Sequence, residues 1–116
     1  MKTFKIEGGH QLKGSIQPQG AKNEALQILC AVLLSPEKIT IHNIPEIIDV
    51  NKLIVLLGKL GVKVNKLGNG SYSFQADEIN LDYLETEAFK VDGRGLRGSI
   101  MIVGPLLARF GKGYIP

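Results

Sequence analysis

The sequence predicts an α/β fold in which short strands alternate with amphipathic helices. Three observations carry this reading. Several short stretches alternate apolar with polar residues, several longer ones repeat apolar residues at helical spacing, and the two kinds interleave along the chain. Read in order, the elements run β-β-α-β-α-β-β-β-α-β. The two strand–helix–strand stretches point to a repeated unit, by element order alone. The 116 residues, 44% hydrophobic and 22% charged, suffice for one domain with a real core.

"TFKIE" at 3–7 alternates like a strand, and "QLKGSI" at 11–16 reads as its hairpin partner beyond Gly8-Gly9. Pro18 to Gly20 turns the chain into a helix that opens near Lys22-Asn23 and runs to Ser35. "KITIHNI" at 38–44 is a strand, with Ile39, Ile41 and Asn43 set against Thr40 and His42. A second helix follows, capped by Asp49, with Leu53, Ile54, Leu57 and Leu60 on one face and Gly61 as its left-handed stop. "VKVNKL", the turn "GNG" and "SYSFQA" form a hairpin, and "EAFKV" at 87–91 reads as a further strand. "GLRGSIMIVGPLLARFG" keeps a helical pattern despite Gly98, Gly104 and Pro105, so packing must offset its poor propensity. The terminal "ARFGKGYIP" stops within a strand-like stretch, as in a chain cut from a longer one.

A net charge of +3 admits an acidic ligand without demanding nucleic acid. With no Trp, three Tyr and four Phe, no base-stacking surface is expected. Cys30 is the single cysteine, which excludes an internal disulfide and fits a reducing compartment. "MKTFKIEGGH" lacks the apolar core of a signal peptide, and Ser35-Pro36 breaks the longest apolar run below membrane-spanning length. A soluble, cytoplasmic protein is expected.

The motifs narrow the chemistry. His10 and His42 lack partners at metal spacing, so no metal site is expected. Cys30, between Leu29 and Ala31, reads as a small hydrophobe with a raised pKa. Gly93, Gly95 and Gly98 spell G-x-G-x-x-G, the pattern of a dinucleotide-binding turn. Three features oppose that use: Arg94 and Arg97 fill slots that favour small residues, Asp92 is the last acid in the chain, and the motif comes late. From Gly93 onward there are four cations, Arg94, Arg97, Arg109 and Lys112, and no acid. Arg94 and Arg97 are expected to share a helix face, and Arg94 and Lys112 to be solvated. Arg97, set among Gly, Leu and Ile, calls for a specific anionic partner.

Lys22 poses the sharpest question, because it places a cation where the helix dipole is already positive. Either the lysine is solvated or an anion belongs there. Helix-start amides, Lys22, the Asn23 amide and the backbone freedom of Gly20 would together make an anion site.

"LKGSIQPQGAKNEALQILCAVLL", "IHNIPEIIDV", "LLGKLGVKV" and "LRGSIMIVGPLLARFGKGYIP" resemble, in that order, the start of the enolpyruvyl transferase family, on its UDP-N-acetylglucosamine 1-carboxyvinyltransferase branch. The resemblance covers essentially the whole chain. Its most specific blocks are Gly-Ala-Lys-Asn at 20–23 and the run from Arg97 to Gly111. The shikimate-pathway sister enzymes typically carry Lys-Ser where this chain has Lys22-Asn23. The resemblance implies transfer of the enolpyruvyl group of phosphoenolpyruvate to the 3′-hydroxyl of UDP-N-acetylglucosamine, with release of phosphate, as the first committed step toward peptidoglycan. It implies addition then elimination through a tetrahedral phosphorylated intermediate, without metal or organic cofactor. It implies two lobes, each an inside-out α/β barrel of repeated units. Residues 1–21 would then belong with the second lobe, and 22–116 with an incomplete first lobe. Lys22 would contact phosphoenolpyruvate, Asn23 both substrates, and Arg97 the shared site. The family's proton donor and general base would lie beyond this chain, which alone would be inactive. The rival readings are the shikimate-pathway sister and a non-catalytic nucleotide- or anion-binding module.

Overall fold

A three-stranded antiparallel sheet with helices packed against it accounts for most of the buried chain in the computed structural model, which describes residues 2–115. The elements are α1 (Lys22–Ala31), β1 (Lys38–Ile41), α2 (Ile48–Leu60), β2 (Lys63–Gly68), β3 (Ser71–Gln75), α3 (Glu87–Arg94) and α4 (Val103–Phe110). Three 3-10 segments, Val32–Leu34, Leu81–Glu85 and Arg97–Ile102, join them. The strand order is β1-β3-β2, and β3 runs antiparallel to both neighbours. β1 and β2 are therefore parallel, linked by α2, with β3 slotted between them: a split β-α-β unit. The mixed helix and strand content stands; the sheet is small and antiparallel.

Local signals placed α1, α2 and the hairpin. α1 begins at Lys22 and buries Leu26, Leu29 and Cys30, and the 3-10 turn after it buries Val32 and Leu33. Burial among these apolar neighbours pushes the Cys30 thiol up to about 12, as its surroundings predicted. α2 buries Val50, Leu53, Leu56, Leu57 and Leu60, and Gly61 ends it with φ 111°. The β2–β3 turn uses Gly70 at φ 71°, and a bulge lies between Lys66 and Gly68. Gly58 is the exception inside α2. A Cβ there would meet no atom within 4 Å, so Gly58→Ala is expected to stabilise the protein by about 0.5–1 kcal/mol in urea melts.

Four expectations need correction. The segments 3–7 and 11–16 form no strand; Phe4, Ile6, Leu12 and Ile16 are each at least 90% exposed. A lone hairpin cannot hold its register unless an apolar surface covers one face, and these four side chains are packed on nothing among the described residues. β1 stops at Ile41 rather than reaching Ile44, because Asn43 turns the backbone to φ 59°. "EAFKV" lies in a helix, not a strand: Thr86 Oγ1 accepts from Phe89 N at 3.2 Å and starts α3, whose inner side buries Phe89. The last helical stretch is split, with 3-10 geometry over Arg97–Ile102 before α4, and no strand follows Gly111. Pro116, at the end of that expected strand, lies outside the described residues.

Two side chains tie the C-terminal part back. Arg109 Nη1 donates to the carbonyls of Leu33 (3.1 Å) and Ala76 (2.6 Å), so this arginine joins α4 to the ends of the α1 segment and β3. Glu85 pairs with Lys112 (3.0 Å) and accepts from the Tyr114 hydroxyl (2.7 Å). Lys112, expected to be solvated, is thus ion-paired.

Candidate functional site

α1 and the 3-10 turn at Arg97–Ile102 pack so closely that one side of their junction stays open as a cleft. The contact is close at Gly98, where a Cβ would lie 3.3 Å from Leu26 Cδ1. The turn is fixed from behind by buried Ser99, whose hydroxyl donates to the Gly93 carbonyl at 2.9 Å. The cleft, about 480 Å³, carries Lys22, Asn23 and Arg97 on its walls together with Asp49 from α2. The three residues singled out in the sequence therefore meet at one place, although 74 positions separate Asn23 from Arg97.

The electrostatics of the cleft follow from four side chains. Arg97 is exposed while Leu96, Ser99 and Ile102 around it are buried, and it makes no ion pair or hydrogen bond among the described residues. Lys22 pairs with the carboxylate of Asp49 across the gap between the starts of α1 and α2. The hydrogen bond from the Lys22 ammonium, and then its charge, hold the Asp49 carboxyl below the usual carboxylate range. Asp49 is thus ionised at neutral pH and a poor proton acceptor. The Asn23 amide faces the same space, and the first turn of α1 has no side-chain cap. The wall thus carries two cations, one carboxylate already paired with Lys22, and the Asn23 amide, a net positive lining that suits an anion.

Some expected roles change. Asp49 does not cap α2; Ile47 occupies that position, and Asp49 in the first turn serves Lys22 instead. The sequence held no signal for this pair, because nothing local links positions 22 and 49. The need for glycine at position 20 comes from the chain itself, not from a ligand: a Cβ there would fall 2.0 Å from the Asn43 carbonyl oxygen. Gly20→Ala should force α1 away from the 43–45 segment. It is expected to cost about 1–3 kcal/mol in urea melts, the opposite sign to Gly58→Ala.

The G-x-G-x-x-G reading fails on context. Gly93 lies within α3, Gly95 caps it in right-handed geometry, and Gly98 sits in the 3-10 turn, so no strand–turn–helix exists there. α3 ends between Arg94 and Arg97, which separates the two arginines that were expected to share a face. His42 Nδ1 meets Ser71 Oγ at 3.0 Å. Among the described residues, no group of three His, Cys, Asp or Glu could hold a metal ion, and no helix is long and apolar enough to cross a membrane.

The family described as EPSP synthase (3-phosphoshikimate 1-carboxyvinyltransferase) matches residues 6–115. The UDP-N-acetylglucosamine 1-carboxyvinyltransferase of Bacteroides thetaiotaomicron is 55% identical over 99% of this chain. Its namesakes from Bacteroides fragilis and Porphyromonas gingivalis are 56% and 52% identical over 99% and 100% of the chain. The chain spans about a quarter of the length of these relatives: 26%, 26% and 27%.

Proposed function

Since the chain belongs to the EPSP synthase family, we propose that it forms part of a UDP-N-acetylglucosamine 1-carboxyvinyltransferase. The intact enzyme moves the enolpyruvyl group of phosphoenolpyruvate onto the 3′-hydroxyl of UDP-N-acetylglucosamine and releases phosphate, in the cytoplasm, at the start of peptidoglycan synthesis. Relatives of that name at 52–56% identity support the assignment. The observation that carries it in this chain is the convergence of Lys22, Asn23 and Arg97 on one cleft.

In this reading Lys22 binds the phosphoenolpyruvate anion, Asn23 bridges the two substrates, and Arg97 serves both. The cleft's contribution is charge and orientation. The sugar hydroxyl loses its proton as its oxygen adds to the phosphate-bearing enol carbon, and the methylene gains one, giving a tetrahedral phosphate ester; loss of phosphate and of a proton from the new methyl group then forms the enol ether. Fixed cations stabilise the phosphate as its charge shifts through both steps. Asp49, the one carboxylate on the cleft wall among the described residues, is paired with Lys22, so the acid and base come from elsewhere in the enzyme. The 116-residue chain alone is inactive. Residues 22–116 belong to an inside-out barrel of repeated units, and residues 1–21 pair with a second lobe. The exposed Phe4, Ile6, Leu12 and Ile16 are consistent with a segment whose cover lies outside these residues.

The test is phosphate release from phosphoenolpyruvate by the complete protein, with UDP-N-acetylglucosamine or with phosphorylated shikimate as acceptor. Release with the nucleotide sugar only is expected. Release with phosphorylated shikimate only would transfer the protein to the sister activity.

A further inference from the structure

Lys22 and Asp49 occupy the boundary between two clefts. Both residues line the 480 Å³ cleft that also holds Asn23 and Arg97, and both line a second one of about 540 Å³, bordered by Glu46, Ile48 and Asn51. The placement of the pair is electrically lopsided. Asp49 stands in the first turn of α2, where a negative charge is favoured, and Lys22 in the first turn of α1, where a positive one is not. α1 therefore does nothing to hold the ammonium in place; Asp49 does. The other charges nearby do not compete for it. Glu46 is engaged by Lys66 at 3.0 Å, and Lys52 adds only a weak pull on Asp49.

Stability does not explain the pair. Its side chains are 49% and 41% exposed, and ion pairs so open to water contribute little to folding. A lysine on a four-carbon stem samples many rotamers unless something anchors its head. An ammonium has three donors, so one bond to Asp49 leaves two for a ligand in the cleft.

We propose that Asp49 is a positioning residue for Lys22, holding its ammonium at the boundary of the two clefts with two donors free for the phosphorylated substrate. This rests on the transferase reading above. Asp49 touches no reacting atom and acts only through Lys22. Its removal therefore harms the step that Lys22 serves and leaves recognition of the nucleotide sugar unchanged.

The experiment is steady-state phosphate release by the complete protein and by its Asp49→Ala, Asp49→Asn, Asp49→Glu, Lys22→Ala and Lys22→Ala/Asp49→Ala variants. Asp49→Ala is expected to lower kcat/KM for phosphoenolpyruvate about tenfold to a hundredfold, with KM for UDP-N-acetylglucosamine within about twofold of the parent. Asp49→Glu restores part of the loss, and Asp49→Asn, which keeps an acceptor oxygen without its charge, falls between. The double variant is at least as active as Lys22→Ala, because without Lys22 there is nothing for Asp49 to position and its bare carboxylate can only repel the phosphate. Losses that multiply in the double variant, equal losses toward both substrates, or unchanged kinetics in Asp49→Ala would each overturn the proposal. If the parent protein released no phosphate with the nucleotide sugar, the transferase reading itself would fall, and this inference with it.

Discussion

Replacing Lys22 with alanine is expected to lower kcat/KM for phosphoenolpyruvate about a hundredfold to a thousandfold, the scale on which a preorganised donor at a developing charge is lost. Two effects act together. The variant removes the ammonium that meets the phosphate, and it exposes the ionised Asp49 carboxylate to an incoming anion. Lys22→Arg keeps the charge and the pairing but moves the donors, so it should retain more activity than alanine while remaining below the parent. Circular dichroism and the melting temperature should stay close to those of the parent, because Lys22 is half exposed and lies at a helix end. Phosphate release assays on both variants check this. Activity equal to the parent in Lys22→Ala would return Lys22 to the role of a solvated cation.

Phe74→Ala carries the largest expected cost to the fold, about 3–5 kcal/mol. Phe74 is fully buried on the central strand β3, opposite Ile39 of β1 and Val64 of β2, and it stacks on Tyr72 at 5.9 Å between ring centroids. No neighbour can close the space without moving a strand, so both transfer and cavity costs apply. Against the roughly 5–15 kcal/mol typical of a whole domain, this is a large share. The midpoint of a urea melt should fall accordingly with little change in slope. A shift smaller than that of Gly20→Ala would contradict the central place given to Phe74 in the core.

What was legible in the sequence was whatever a local signal could write. Gly61 closes α2 where a left-handed residue was expected, "GNG" turns the hairpin, and α1 begins at Lys22. What was not legible depended on partners far along the chain. The 3–16 segment has the alternation of a hairpin, but its apolar side chains pack on nothing among the described residues. "EAFKV" has strand-like residues, yet one hydroxyl, that of Thr86, bonds the Phe89 amide and starts a helix. Arg109 was counted among the C-terminal cations without a role, because the carbonyls it bonds, Leu33 and Ala76, lie 76 and 33 residues away. The candidate site divides in the same way. Lys22, Asn23 and Arg97 were named from dipole logic, from an arginine in apolar company and from family resemblance. Asp49 was not named beside them in the proposed site, because its partner Lys22 is in another helix and its place near a helix start already had an explanation.

The central claim is that an anion belongs between Lys22 and Arg97. A crystal structure of the complete protein with UDP-N-acetylglucosamine and inorganic phosphate tests it most directly. The expected result is a phosphate in the cleft within about 3 Å of Lys22 Nζ and in hydrogen-bond reach of the Arg97 guanidinium, with the sugar near Asn23. A phosphate bound elsewhere, with Lys22 still engaged only by Asp49, would contradict it.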